Sequence, residues 1–194
     1  ADDAWDLEIK TERFGWFEIA GIHDRTDYDL KRHSEFSKQD MKVQGQYPNI
    51  LEIAFGIERP TYCLLETSFR EEKVKNETRS WLYFPVGMAP IDVAIFPLMK
   101  KDGLPELAAQ IKESLEKNFV VVYDEAGSIG RRYLRAAEQG TPYCITVDYD
   151  SLKNKDVTVR DRDTEQQIRV PLSKLREVLQ ELLEERRVFT SLKQ

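Results

Sequence analysis

The stretch Asp124-Glu125-Ala126-Gly127-Ser128-Ile129-Gly130-Arg131-Arg132-Tyr133 has the residue types of an anion site. It follows the apolar run 119–123 and opens a helical pattern with Ile129, Tyr133, Ala136 and Ala137 on one face. Gly127 and Gly130 let the backbone turn tightly, Ser128 suits an N-cap, and a helix N-terminus favours negative charge. Arg131, Arg132 and Arg135 add guanidinium groups within two turns, so a phosphate backbone would suit this end. The spacing is neither GxGxxG nor GxxxxGK[ST], and on the residues alone a solvated, Arg-rich helix face is the plainer reading.

A second group is carboxylate-centred. Glu18 lies in the aromatic stretch Phe14-Gly15-Trp16-Phe17-Glu18-Ile19-Ala20, and Glu52 lies inside the apolar run Ile50-Leu51-Glu52-Ile53-Ala54-Phe55, followed by Gly56-Ile57-Glu58-Arg59. A charge in an apolar strand is costly unless paired, so Glu52 calls for a cation or a ligand ammonium. A third group, Arg160, Arg162 and Arg169 interleaved with Asp161 and Asp163, reads most simply as a hairpin with cross-strand ion pairs.

Other chemistries lack their residues. His23 and His33 are the only histidines and belong to no HExxH or Ser/His/Asp pattern. Cys63 and Cys144, far apart and outside any CxxC, read as reduced, buried thiols rather than a disulfide or a metal site. The net charge is −6, and residues 118–170 carry eight Lys/Arg against nine Asp/Glu, so a nucleic acid would have to be held by local, oriented contacts. No apolar run approaches the roughly 20 residues that span a bilayer, and the start Ala1-Asp2-Asp3 is no signal peptide.

These groups need elements to hold them. Residues 5–9 and 14–20 alternate as antiparallel strands, 21–30 is a charged loop before a polar helix at 31–37, and 47–55 is a strand. A helix follows, with Ile57, Tyr62, Leu65 and Phe69 as its core stripe. Residues 71–80 are nearly all polar, and Pro85, Gly87 and Pro90 mark a domain boundary. Beyond it come a strand at 91–97, a helix over 104–117, the strand and loop above, a strand at 143–148, a turn at 151–155, a hairpin of 157–160 with 167–170, and a helix over 171–185. The result is an α/β sandwich on a mixed sheet.

Three ordered blocks, Gly127 to Tyr133, Gly140 to Asp148 and Val157 to Thr164, resemble the anticodon-binding domain of archaeal and eukaryotic glycyl-tRNA synthetases. Residues Gly15 to Leu30 resemble those enzymes' Gly-Trp-x-Glu-x-x-Gly-x-x-Asp-Arg-x-x-Tyr-Asp-Leu segment, and Phe55-Gly56-Ile57-Glu58-Arg59 resembles the third signature of class II aminoacyl-tRNA synthetases. The resemblance implies an α/β fold: a partial class II antiparallel sheet with helices in residues 1–87, the C-terminal part of a catalytic domain. An anticodon-binding domain follows in residues 88–194, with a mixed five-stranded sheet flanked by helices.

By the same resemblance Glu18, Ile19 and Arg59 hold ATP, with Mg²⁺ as its companion, and Glu52, Ile53 and Ala54 meet glycine. Arg131, Arg132, Arg160 and Arg162 face tRNA(Gly). The intact enzyme is expected to be a cytoplasmic homodimer, a glycine–tRNA ligase with no membrane association. No catalytic side chain and no protein-bound metal is assigned. The chain departs from the family in carrying Ala54 where a Ser is usual, and the first two class II signatures are absent, so this chain alone is expected to be inactive. The alternative is a non-catalytic, synthetase-like paralogue that binds tRNA or a protein partner.

Overall fold

Alternating side chains and a glycine turn produce the first hairpin. β1 (Asp3–Thr11) pairs antiparallel with β2 (Gly15–Thr26), and β2 pairs antiparallel with β3 (Ile50–Ala54) to complete a three-stranded sheet in the order β1-β2-β3. Gly15, at φ 70°, takes the left-handed conformation that closes the β1–β2 turn. The computed structural model describes residues 3–74 and 77–192, and the chain divides into two compact units, residues 1–67 and 68–194.

β2 runs on to Thr26, so residues expected in a loop, His23 to Arg25, are strand instead. α1 (Tyr28–Ser37) follows, and α2 (Glu58–Ser68) comes after β3. The anchor of α2 is one aromatic cluster. Phe14 stacks on Phe17 at 5.1 Å and Tyr62 meets both rings, while the Glu66 carboxylate accepts bonds from the Tyr62 hydroxyl at 2.7 Å and from the Glu12 amide at 3.1 Å.

The expected core stripe of this helix is not a core. Ile57 is 80% exposed, Leu65 is exposed, and Phe69 belongs to the next strand; Cys63 and Ser68 are the buried residues of the helix. Leu51 and Ile53, 69% and 65% exposed, share one uncovered side of β3.

In the second unit the polar run 71–80 falls in both strands of a hairpin, β4 (Phe69–Val74) antiparallel to β5 (Glu77–Leu82). It pairs Phe69 with Leu82 and Arg70 with Trp81, so its apolar residues sit at the base while charges fill the ribbon. This hairpin groups with the second unit, whereas the boundary expected from sequence lies after it, at 87/88.

The main sheet contains β6 (Val93–Pro97), β7 (Val121–Tyr123), β8 (Tyr143–Val147), β9 (Asp156–Asp161) and β10 (Gln167–Pro171) in the order β10-β9-β8-β6-β7. β6 is parallel to both β7 and β8, and β8, β9 and β10 run antiparallel, which makes the mixed five-stranded sheet that was expected. β6 is apolar throughout, β8 is apolar but for Thr146, and both are buried on both faces, as suits central strands.

One face packs on α3 (Leu104–Leu115) and α6 (Leu175–Leu183) through Ile95, Ile145, Val159, Leu104, Ile111 and Leu179. The other face, Ala94, Phe96 and Cys144, packs on α4 (Ile129–Glu138) through Ala136. Burial pushes the Cys144 thiol up to about 12, and both cysteines are free and buried.

The expected turn after β8 is a helix, α5 (Tyr149–Asn154), started by a capping box. The Asp148 carboxylate accepts the Ser151 amide at 3.0 Å, and the Ser151 hydroxyl accepts the Asp148 amide at 3.0 Å. Gly140, at φ 77°, ends the turn after α4, and a Cβ there would stand 2.3 Å from Cδ2 of Phe84. Only glycine lets Phe84, 5% exposed, close over that corner.

Candidate functional site

The loops at the carboxyl ends of β6 and β7 leave in opposite directions, one to α3 and the other to α4. Such a divergence opens a crevice, the usual ligand position in open α/β sheets. Here it measures about 490 Å³ and is lined by Met99, Lys100 and Lys101 from the first loop and by Gly127, Ser128 and Arg132 around the second. Gly127 takes φ 72°, which a side chain would strain, so the glycine loop read from sequence does position the start of α4. Ser128 occupies the N-cap position with extended backbone, but its side chain makes no capping bond.

The arginines of this region divide by helical phase. Arg132 lies on the buried stripe of α4 with Ile129, Tyr133 and Ala136; it is 3% exposed, and it donates to the Pro97 carbonyl at 2.5 Å and the Gly127 carbonyl at 2.8 Å. It thereby ties the end of β6 to the β7–α4 loop and fixes the two sides of the crevice. Arg135 bonds Asp124 and the Ala126 carbonyl. Burial would raise the Asp124 carboxyl, but the Ala126 amide and Arg135 hold it below its usual range. Arg131 is exposed on the first turn of α4, next to the crevice rather than in its lining; Lys100 and Lys101 line it, each 3.6 Å from a carboxylate, Glu125 and Asp102.

Arg162 is likewise internal. It is 6% exposed, donates to the carbonyls of Gly140 and Phe84, both at 2.8 Å, and pairs with Asp163. Of the four arginines expected to face a nucleic acid, Arg132 and Arg162 are buried and donate to backbone carbonyls. Arg160, on β9 between β8 and β10, lies over the Tyr133 ring, 4.7 Å from its centroid. Arg169 holds Asp148 and Asp156, a cross-strand ion cluster of the plain kind the sequence suggested. Tyr143 is core, and the Tyr149 hydroxyl donates to Asp102 at 2.9 Å.

In the first unit the structure brings Glu18 and Arg59 together. Arg59 Nη1 donates to the Glu18 carbonyl at 3.0 Å, lies 3.3 Å from its carboxylate, and its guanidinium covers the Phe17 ring at 5.4 Å. Both side chains are about half exposed, so the outer edge of the guanidinium can still take phosphate oxygens. Ile19 is half-buried beside them.

Glu52 pairs across the sheet with His23, Ile53 with Ile22 and Ala54 with Gly21. Its carboxylate is 40% exposed and meets Arg25 Nε at 3.4 Å; Arg25 also grips Asp29 with two bonds of 2.8 and 2.9 Å. The cation expected for Glu52 is thus Arg25, and the strand is less enclosed than its composition implied. The Arg25 bond holds the Asp29 carboxyl below its ordinary range.

Sequence reasoning missed Lys100 and Lys101, whose signal was their place just after an apolar strand. It also missed Arg25 and Asp29 as a pair at helical spacing. Among the described residues no group of three or more His, Cys, Asp or Glu side chains converges as a metal site, and no helix is long and apolar enough to cross a membrane.

Residues 92–182 match the family model described as an anticodon binding domain. The chain is 43% identical over 187 residues to a glycine–tRNA ligase of Treponema denticola, an alignment covering 90% of this chain and 41% of that protein. A glycine–tRNA ligase of Methanothrix thermoacetophila is 36% identical over 261 residues, covering 94% of this chain and 45% of the relative. One from Caldanaerobacter subterraneus is 46% identical over 176 residues, covering 88% and 38%. The chain therefore spans less than half the length of the curated relatives it matches.

Proposed function

We propose that this chain, which belongs to the glycyl-tRNA synthetase family and carries its anticodon-binding domain, is the C-terminal part of a glycine–tRNA ligase. In this reading residues 1–87 complete a class II catalytic domain and residues 88–194 select the tRNA by its anticodon. The whole enzyme joins glycine to tRNA(Gly) in the cytoplasm, in two steps through an adenylate, as a homodimer.

The observation that carries the tRNA part is the crevice at the ends of β6 and β7. It combines a helix start, a glycine loop and the exposed lysines Lys100 and Lys101, with the exposed Arg131 on the adjoining turn of α4, in a unit whose family model is an anticodon binding domain. Single-stranded loops present base edges that paired RNA hides, and a local cluster of donors suits them although the chain as a whole carries a net charge of −6. Arg131 meets the RNA directly, as does Arg160; Arg132 and Arg162 act through the backbone they hold.

ATP supplies the activated phosphoryl anhydride, and Mg²⁺ accompanies its phosphates. Arg59 is the group of this chain that fits them, since a half-exposed guanidinium with Glu18 and Phe17 behind it is oriented and still accessible. Glu52, Ile53 and Ala54 line the glycine position, with Arg25 competing for the Glu52 carboxylate until the ammonium arrives. Leu51 and Ile53 leave one side of β3 open, which the remainder of the catalytic domain would cover, and glycine activation requires that remainder.

Replacing Arg131 by alanine tests the assignment. The expected result is several-fold weaker binding of a tRNA(Gly) anticodon stem-loop, a smaller dependence of affinity on salt by about one counterion, and unchanged thermal stability because the side chain is exposed. Unchanged affinity and salt slope would remove α4 from the interface.

A further inference from the structure

On the other flank of α4 lies a second cavity, of about 320 Å³, lined among others by Arg79, Ile129, Tyr133, Thr141, Arg160 and Glu165. Ile129 lines this cavity and the crevice alike, so an extended strand crossing the first turn of α4 would reach both.

Its mouth is a pair of guanidiniums on one carboxylate. Arg79 of β5 bonds one oxygen of Glu165, and Arg160 Nη2 of β9 lies 3.3 Å from the other. The two arginines are set by their rings, Arg79 over Trp81 at 5.0 Å and Arg160 over Tyr133 at 4.7 Å. Glu165 is set by nothing comparable: it sits in the β9–β10 turn at φ 56° with a side chain 44% exposed. Two prepositioned guanidiniums around a half-exposed turn carboxylate have the geometry and charge of an oxyanion clamp in which one anion can replace another.

Two buried polar atoms at this cavity find no hydrogen-bond partner, Arg79 Nε and the hydroxyl of Thr141, whose residue is 0% exposed. Buried polar groups are paired in more than about nine cases in ten, so both atoms call for a polar ligand.

We propose that Arg79 and Arg160 clamp one phosphate of single-stranded RNA, that the adjoining nucleotide enters this cavity, and that Glu165 is an internal anion the phosphate displaces. The proposal rests on the reading of residues 88–194 as an anticodon-binding domain. It adds Arg79, on the preceding hairpin, to the RNA surface, and it makes Glu165 a built-in competitor that rejects weakly fitting strands.

The test is fluorescence anisotropy of the full chain with a labelled tRNA(Gly) anticodon stem-loop. Glu165→Gln should tighten binding about tenfold, whereas Glu113→Gln, which removes the same charge from an exposed position on α3, should leave it unchanged. Arg79→Ala and Arg160→Ala should each weaken binding about tenfold, with folding verified by thermal unfolding. Arg79→Lys, which keeps the charge and loses the fork, should fall between wild type and alanine. Equal affinities of Glu165→Gln and wild type, or equal tightening by both glutamine variants, would overturn the clamp while leaving the anticodon reading intact. Failure of the wild-type chain to bind the stem-loop at all would instead overturn that reading, and the clamp with it.

Discussion

Replacing Arg132 by alanine is expected to destabilise the second unit by about 2–4 kcal/mol, a large share of the stability of a small domain. The side chain is 3% exposed, and its two bonds satisfy the carbonyls of Pro97 and Gly127, which the substitution would leave without that donor. The buried Pro97 carbonyl left unpaired costs about 1–3 kcal/mol, the Gly127 carbonyl, at an exposed residue that water can reach, costs less, and removal of the packed aliphatic stem adds to both. Lysine keeps the charge but reaches only one of the two carbonyls, so Arg132→Lys should lose roughly half as much. Urea titration measures this directly: the midpoint should fall while the slope is unchanged. RNA affinity of the surviving folded fraction should drop through loosening of the crevice. An unchanged midpoint together with lost RNA affinity would mean that Arg132 is a contact residue after all.

The second large effect concerns the first unit. In the complete ligase, Arg59→Ala should lower ATP-dependent glycine activation about a hundredfold, because one charge-assisted contact to the reacting phosphates is worth about 2–3 kcal/mol when made in the transition state. Stability should change by less than about 1 kcal/mol, since Arg59 and Glu18 are each about half exposed and such pairs contribute little. Affinity for tRNA should be unchanged. Pyrophosphate exchange and tRNA binding, measured on the same preparation, separate the two roles. Equal loss in both would make Arg59 a structural residue of α2.

The regular part of the second unit was legible from hydrophobic period alone. β6 is a continuous apolar run and β8 is one broken only by Thr146, α3 and α6 carry apolar residues every three to four positions, and the hairpin of β9 and β10 alternates. α5 escaped because six residues show no period, although Asp148 and Ser151 at capping-box spacing announced it. The β4–β5 hairpin escaped because its faces are mostly charged, so neither periodicity nor composition separates it from a linker. In the first unit the alternation of β1 to β3 was readable, but not the exposure of Leu51, Ile53 and Ile57, which depends on what lies above the sheet.

For the site, residue type was easier to read than side-chain environment. Arg131 and Arg132 are adjacent and identical in sequence, yet a helix rotates about 100° per residue, which puts one in water and the other on the stripe of Ile129 and Ala136. That difference was available from the 3.6-residue period. The pairing of Arg79 with Glu165 was not, because it joins positions far apart in the chain through a hairpin that leaves no pattern. Glu52 shows the opposite failure: its apolar neighbours suggested burial, and the open strand supplies Arg25 and solvent instead.

The central claim is that residues 88–194 read anticodon bases. Its most direct test is the affinity of this chain for a tRNA(Gly) anticodon stem-loop beside the same hairpin with altered anticodon bases, each at two salt concentrations. The account predicts a difference on the order of tenfold, about 1.4 kcal/mol, that persists at the higher salt, because base contacts do not depend on counterion release. Equal, weak and salt-sensitive binding of both hairpins would contradict it.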